Sequence, residues 1–288
     1  MRLLEVLTRT RFQIFTYPHG TLNNTAVPEG AGSGFVLEYK DKLFFITADH
    51  VCHPDDYEDE DCSRSFDDKD VAIVNNWIEK DPQTDKEVHI LTPIGGFYYF
   101  TQFNFSQDNG LTDGKPYDAT FAILDRSKIV RPLKSEPLFV QDAPDVPGDL
   151  DMIPIPSKSI ITPTTDDRYI VYGHTNFSFN KDTNLLNWEV THHEDMVYSG
   201  ETGDYYLLTP NEPINNKDWK GISGSPVFNL QGGLLGILCG GNKDRNVIYV
   251  MKIKKLLSFI DSTLQIIDIE AKRTSCEDHK DSTDITQE

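Results

Sequence analysis

The chain is built from short runs of apolar, β-branched and aromatic residues, each closed off by a polar turn. Phe35-Val36-Leu37, Leu43-Phe44-Phe45-Ile46, Val71-Ala72-Ile73-Val74, Phe121-Ala122-Ile123-Leu124, Tyr169-Ile170-Val171-Tyr172, Tyr205-Tyr206-Leu207-Leu208, Leu234–Cys239 and Val247–Val250 recur at this scale. Such runs read as strands rather than helices. Only Lys252 to Leu264 has helical spacing, with Ile253, Leu256, Leu257 and Ile260 on one face. Many strands and one terminal helix predict an all-β protein, most simply two barrels or a sandwich. Gly32–Tyr39 and Leu43–Thr47 flank the polar turn Lys40-Asp41-Lys42, a hairpin that delivers the chain to Ala48-Asp49-His50-Val51. The stretch from Arg131 to Thr165 holds seven prolines and reads as a linker, and Ala271 to Glu288 is polar and expected to be disordered.

Length and charge narrow the function. The 288 residues suit one large domain or two small ones, and 38% hydrophobic content supplies a sizeable core. With 46 acidic against 27 basic residues, the net charge of −19 repels phosphate backbones and anionic lipid. No nucleic-acid or membrane binding is therefore expected. Glu5 and Arg9 interrupt the N-terminal apolar residues, so no signal peptide is expected. Cys52, Cys62, Cys239 and Cys276 are irregularly spaced and form no CxxC pair, which points to a reduced, cytoplasmic protein. No metal or cofactor is called for. The acidic stretch Asp55 to Asp61 lacks EF-hand spacing, and His192-His193 and Cys52-His53 are weak zinc candidates.

The chemistry is concentrated in Gly221-Ile222-Ser223-Gly224-Ser225-Pro226. A serine between glycines can sit on a tight turn with its hydroxyl exposed and neighbouring N–H groups free, which is what acyl transfer requires. Gly/Ser runs also make ordinary turns. The motif gains weight from a histidine and an aspartate upstream.

Here the sequence resembles the trypsin-like serine proteases. Thr47-Ala48-Asp49-His50 looks like that family's Thr-Ala-x-His box, and Gly221–Pro226 its Gly-x-Ser-Gly-Gly/Ser-Pro box; Leu234–Leu238 resembles the strand that follows. Val171-Tyr172-Gly173 is loosely similar to a strand of HtrA-like, intracellular members. The resemblance implies two six-stranded antiparallel β-barrels with the active site between them, followed by a C-terminal helix. It places the N-terminal barrel in residues 1–135, the C-terminal barrel and helix in 136–265, and a polar tail in 266–288. It implies a serine endopeptidase with His50 as base, Asp118 as its carboxylate and Ser223 as nucleophile, and the N–H groups of Gly221 and Ser223 as oxyanion hole. Asp70 also precedes an apolar run. The family's barrel needs strands between histidine and acid, and the runs at 70–74 and 89–100 supply them only if the acid is Asp118.

The chain departs from secreted trypsins as well. Ile222 stands where they carry an aspartate that pairs with a newly cut N-terminus, so that activation route is not expected. Cys52 has no partner on the preceding strand, and the usual disulfides are missing. Substrate contacts are expected from Lys217, Cys239, Gly240 and Gly241, with the two glycines leaving an edge for a substrate strand. The expected partner is a protein or peptide substrate. Restraint would come from an activating or inhibiting protein partner, or from a misaligned loop. Two other readings stay open: a catalytically silent binding module on the same fold, and an esterase or other acyl hydrolase using the same triad.

Overall fold

The structure is a computed structural model that describes residues 3–22, 27–57, 69–80, 87–103, 105–106, 110–111, 114–125, 127, 132–136, 146–148, 150–180 and 185–281. Two compact units emerge, Met1–Met251 and Lys252–Glu288.

The first unit opens with helix α1 (Leu3–Thr10) and strands β1 (Arg11–Pro18), β2 (Gly30–Tyr39) and β3 (Lys42–Thr47). The β2–β3 hairpin turns on two residues, Lys40 and Asp41, with φ of +49° and +58°. That pair of left-handed residues is a type I′ turn, whose twist matches the strands it joins; Lys42 already belongs to β3. After a short helix α2 (Asp49–Cys52) come β4 (Lys69–Lys80), β5 (Glu87–Ile94) and β6 (Phe97–Tyr98). Two minor ribbons follow, β7 (Thr101–Gln102) with β10 (Lys115–Pro116) and β8 (Phe105–Ser106) with β9 (Gly110–Leu111). Strand β11 (Thr120–Leu124) returns to pair with β3, and β12 (Ile155–Pro156) lies parallel to β2. The main sheet has eight strands in the order β5-β4-β1-β2-β3-β11-β6, with β12 alongside β2. Its ends do not pair among the described residues, so it is a half-barrel rather than the closed six-stranded ring expected from the sequence.

Residues from Arg11 through Tyr17 are buried on both faces of β1. Phe12 and Ile14 point into the sheet's own core, with Phe12 edge-on to Phe45. Arg11 and Gln13, on the other face, meet His174 of the second barrel. A strand covered on both sides is a central one, and it lacks the polar alternation of a half-exposed strand.

Strands β13 (Tyr169–Asn180), β14 (Leu185–Thr202), β15 (Tyr205–Thr209), β16 (Pro226–Asn229), β17 (Leu234–Asn242) and β18 (Val247–Lys252) close a barrel in the order β13-β14-β15-β18-β17-β16. Tyr169, Val171, Met196, Leu208, Val227, Leu235, Ile248 and Val250 fill it. Helix α3 (Asn216–Trp219) precedes the serine turn. The chain is thus mostly β, with one closed antiparallel barrel and one half-barrel, consistent with the trypsin-like two-barrel fold.

The second unit is helix α4 (Ile253–Asp281). It extends well past Leu264, the end of the helix expected from the sequence, and into the tail expected to be disordered. Ala271, Lys272 and Arg273 favour helix over coil without needing burial. No helix among the described residues is long and apolar enough to cross a membrane.

Candidate active site

Register brings the histidine and the acid together. Thr47, the last residue of β3, pairs with Thr120, the first of β11. His50 lies three residues past one end of that pair and Asp118 two residues before the other. Their side chains meet: His50 Nδ1 is 2.8 Å from Asp118 Oδ1. The same oxygen accepts the His50 backbone N–H at 3.1 Å. A carboxylate oxygen only accepts, so Nδ1 carries the proton and Nε2 is left with a free lone pair. Cys239 in β17 fixes the acid from behind by donating its thiol to the Asp118 carbonyl at 3.1 Å. Burial and the charge of Asp118 push that thiol well above the ordinary range, keeping it a donor. Cys239 is therefore buried behind Asp118 and does not line the cavity that opens beside Ser223.

Asp70 lies elsewhere. It faces Tyr17 in the β1–β4 pairing, accepts the Leu22 N–H at 3.2 Å, and sits 3.5 Å from His19. Strands β1 and β2 lie between β4 and β3.

The serine turn is held from both barrels. Ile222 is 1% exposed and belongs to the core of the closed barrel. Gly173 makes room for it, because a Cβ there would strike the Ile222 side chain. Burying one isoleucine contributes about 1.5–3 kcal/mol, so this side chain anchors the turn to the barrel core. Ser33 of the half-barrel donates its N–H to the Ser223 carbonyl at 2.8 Å, and its hydroxyl lies 3.4 Å from the Gly221 carbonyl. Gly224 has φ +86°, and a Cβ on it would collide with the Ser33 carbonyl and the Thr47 hydroxyl. Only glycine lets the turn approach the ends of β2 and β3 so closely. Gly221, at φ +111°, is likewise restricted.

Ser223 is half-buried beside this contact. The structure joins His50 to Asp118 by hydrogen bond; among the described residues it records none from the Ser223 hydroxyl to His50. Bonds of that kind commonly tighten only when substrate binds.

Burial opposes charge on His50, but Asp118 outweighs it through its field and hydrogen bond. Asp49 adds to the same effect, and the imidazole's pKa rises above its ordinary value. To act as a base His50 would have to be neutral, so any base-dependent reactivity should fall as pH drops through this raised value. The pH profile of Ser223 acylation should have its acid limb above about pH 6.5, and Asp118→Asn should move that limb downward. A limb that stays put in the variant would refute the electrostatic coupling.

Behind the turn lies a buried polar cluster. Arg11 reaches Ser33 Oγ at 3.3 Å, Gln13 Oε1 at 2.7 Å and Glu136 Oε1 at 3.4 Å. Glu136 also accepts the Tyr172 hydroxyl at 2.7 Å and contacts His174 Nε2 at 2.6 Å. Burial alone would raise the Glu136 pKa, but His174, Arg11 and Tyr172 hold it at about 2. None of these residues has a motif signature. Arg11 in a strand and Glu136 after Pro132 are unremarkable locally, and only the fold brings them together.

A cavity of about 420 Å³ opens beside Ser223, lined by Ile214, Trp219, Lys220, Leu238, Gly240, Gly241 and Lys243. A Cβ added to Gly240 would meet nothing. Trp219 is steadied by His193, stacked at 3.8 Å and 11°, whose Nε2 donates to the Asp218 carbonyl at 2.9 Å. Lys217 lines a different cavity, of about 480 Å³, against Phe15 and Phe177. Ile214 and Leu238 escaped sequence reading: one sits in a loop, and the other looks like any strand residue.

Among the described residues, Asp49, His53 and Asp56 bring ligand atoms within 4.8 Å of one another, near enough to hold a metal ion. Asp49 is already engaged by His53 at 3.1 Å and by the Tyr57 hydroxyl at 2.9 Å, and Asp56 also has a partner. Cys52 and Cys239 are free and buried; Cys62 lies outside the described residues, and no side chain is described for Cys276.

Fold and site define a β-barrel chain with a paired histidine and aspartate next to a serine turn. No family model and no curated protein matches the sequence. Among solved structures it is similar to a serine endoprotease from Yersinia pestis, at 14% identity with a TM-score of 0.45, covering 92% of this chain and 67% of that one.

Proposed function

We propose that the protein is a serine endopeptidase acting through His50, Asp118 and Ser223. The observation that carries this reading is the 2.8 Å His50–Asp118 hydrogen bond, which leaves Nε2 as an acceptor, together with a serine turn pinned against Ser33 and Thr47, the latter three residues before His50. Ser223 Oγ would add to the peptide carbonyl as its proton passes to His50 Nε2. The Gly221 and Ser223 N–H groups, neither of which has an acceptor among the described residues, would bind the oxyanion. Losing one such donor typically costs about 3–4 kcal/mol. Collapse of the tetrahedral adduct would expel the amine with the proton held on His50. Water, deprotonated by the same imidazole, would then release the acid and free Ser223. Asp118 would stabilise the imidazolium. Free Cys52 and Cys239 fit a reducing, cytoplasmic location. A protein partner that restrains or activates the enzyme belongs to the same proposal.

The test is a fluorophosphonate probe followed by peptide mapping. One covalent adduct on the peptide containing Ser223 is expected. Labelling at another residue, or none on folded protein, would sink the assignment.

A further inference from the structure

Two cavities flank the serine turn, and Lys220 lines both. The one that reaches Ser223 is walled by Ile214, Trp219 and Leu238, and no carboxylate lines it. A basic side chain entering it would lose hydration with no acidic partner to replace it. The other touches Gly221 and is walled by Phe15, Ala31, Phe177 and Phe179. Its one carboxylate, Glu29, is 3.1 Å from Lys69.

The rims carry the opposite sign to the rest of the molecule. Lys220 rims both cavities, Lys243 the first and Lys217 the second; all three are exposed, and none forms an ion pair among the described residues. The chain as a whole bears −19. Charges more than about 8 Å away are largely screened at physiological salt, so a bound peptide is governed by these nearby lysines. With the acyl segment in the cavity beside Ser223, the leaving segment would cross the turn at Lys220 and Gly221, where the second cavity and Lys217 begin.

Resting on the peptidase reading, we infer that the substrates are acidic peptides of a defined pattern. An uncharged apolar residue precedes the cleaved bond and fills the cavity beside Ser223. An acidic residue follows the bond, opposite Lys217 and Lys220, next to an apolar or aromatic residue that enters the second cavity.

The experiment uses quenched fluorescent peptides with an apolar residue before the bond and Asp, Ala or Lys after it. Each exposed ion pair is worth at most a few-fold, so kcat/KM for Asp should exceed that for Lys by about tenfold at low salt, with the gap closing at high salt. Lys217→Glu with Lys220→Glu should reverse the order; both positions are exposed, so folding is not at stake. Fluorophosphonate labelling of Ser223 runs in parallel. An adduct together with equal cleavage of all three peptides, or with cleavage after Lys or Arg in a randomised library, overturns the inference and leaves the peptidase reading standing. An adduct with no peptide cleaved overturns both, as does the absence of any adduct and any cleavage.

Discussion

Replacing Asp118 by Asn is expected to lower turnover at Ser223 by about 10⁴-fold while leaving the fold intact. Asp118 Oδ1 accepts two hydrogens from His50, one from the ring and one from the backbone. An Asn amide can present its NH₂ to Nδ1, which then becomes the acceptor and puts the proton on Nε2. The base is lost although every atom is near its place, and the imidazolium also loses its counter-charge. Asp118 is 14% exposed and its carbonyl remains held by Cys239, so little stability should be lost. Asp70→Asn is the matched control. Its carboxylate serves Leu22 and an exposed His19, and the expected change in turnover is less than twofold. The comparison is made by kcat/KM, or by the rate of fluorophosphonate labelling, on protein whose folding has been checked by circular dichroism. A crippled Asp70→Asn beside a near-normal Asp118→Asn would remove Asp118 from the site.

Arg11→Met should destabilise the first unit by about 3–5 kcal/mol, the usual cost of stranding one partner of a buried ion pair. Arg11 is 4% exposed and Glu136 12% at its side chain. Without the guanidinium, Glu136 keeps its charge or takes up a proton at a free-energy cost, and Gln13 and Ser33 each lose a donor. Adding Glu136→Gln should recover part of the loss, because a neutral amide tolerates burial better than a carboxylate. Urea unfolding at neutral pH reads both steps. A single variant within about 0.5 kcal/mol of wild type would show that the pair does not support the fold. Since Arg11 reaches Ser33, and Ser33 reaches the Gly221 carbonyl, labelling of Ser223 should weaken in Arg11→Met even where it remains folded.

The half-barrel differs from the expected ring for a local reason. Between β5 and β6 lie only Gly95 and Gly96, the latter at φ +73°, and β6 has two residues. So short a strand pairs with β11 but does not reach back to β5. The helix, conversely, runs past Leu264 because Ile267 continues the apolar spacing of Ile253, Leu256 and Ile260, and Ala271, Lys272 and Arg273 favour helix beyond it.

The amino-acid sequence by itself determined the β class, the hairpin that ends at the histidine and the serine turn. These rest on patterns that act over a few neighbouring residues: apolar, β-branched and aromatic runs, the polar turns that close them, and the glycines around the serine. Tertiary structure alone decided which aspartate faces His50. Asp70 and Asp118 both precede apolar runs and are alike locally; the pairing of Thr47 with Thr120 separates them. It alone also placed Cys239 behind the acid, Ile222 in the barrel core and Arg11 against Glu136. Those contacts join residues far apart in the chain, and no local pattern specifies them.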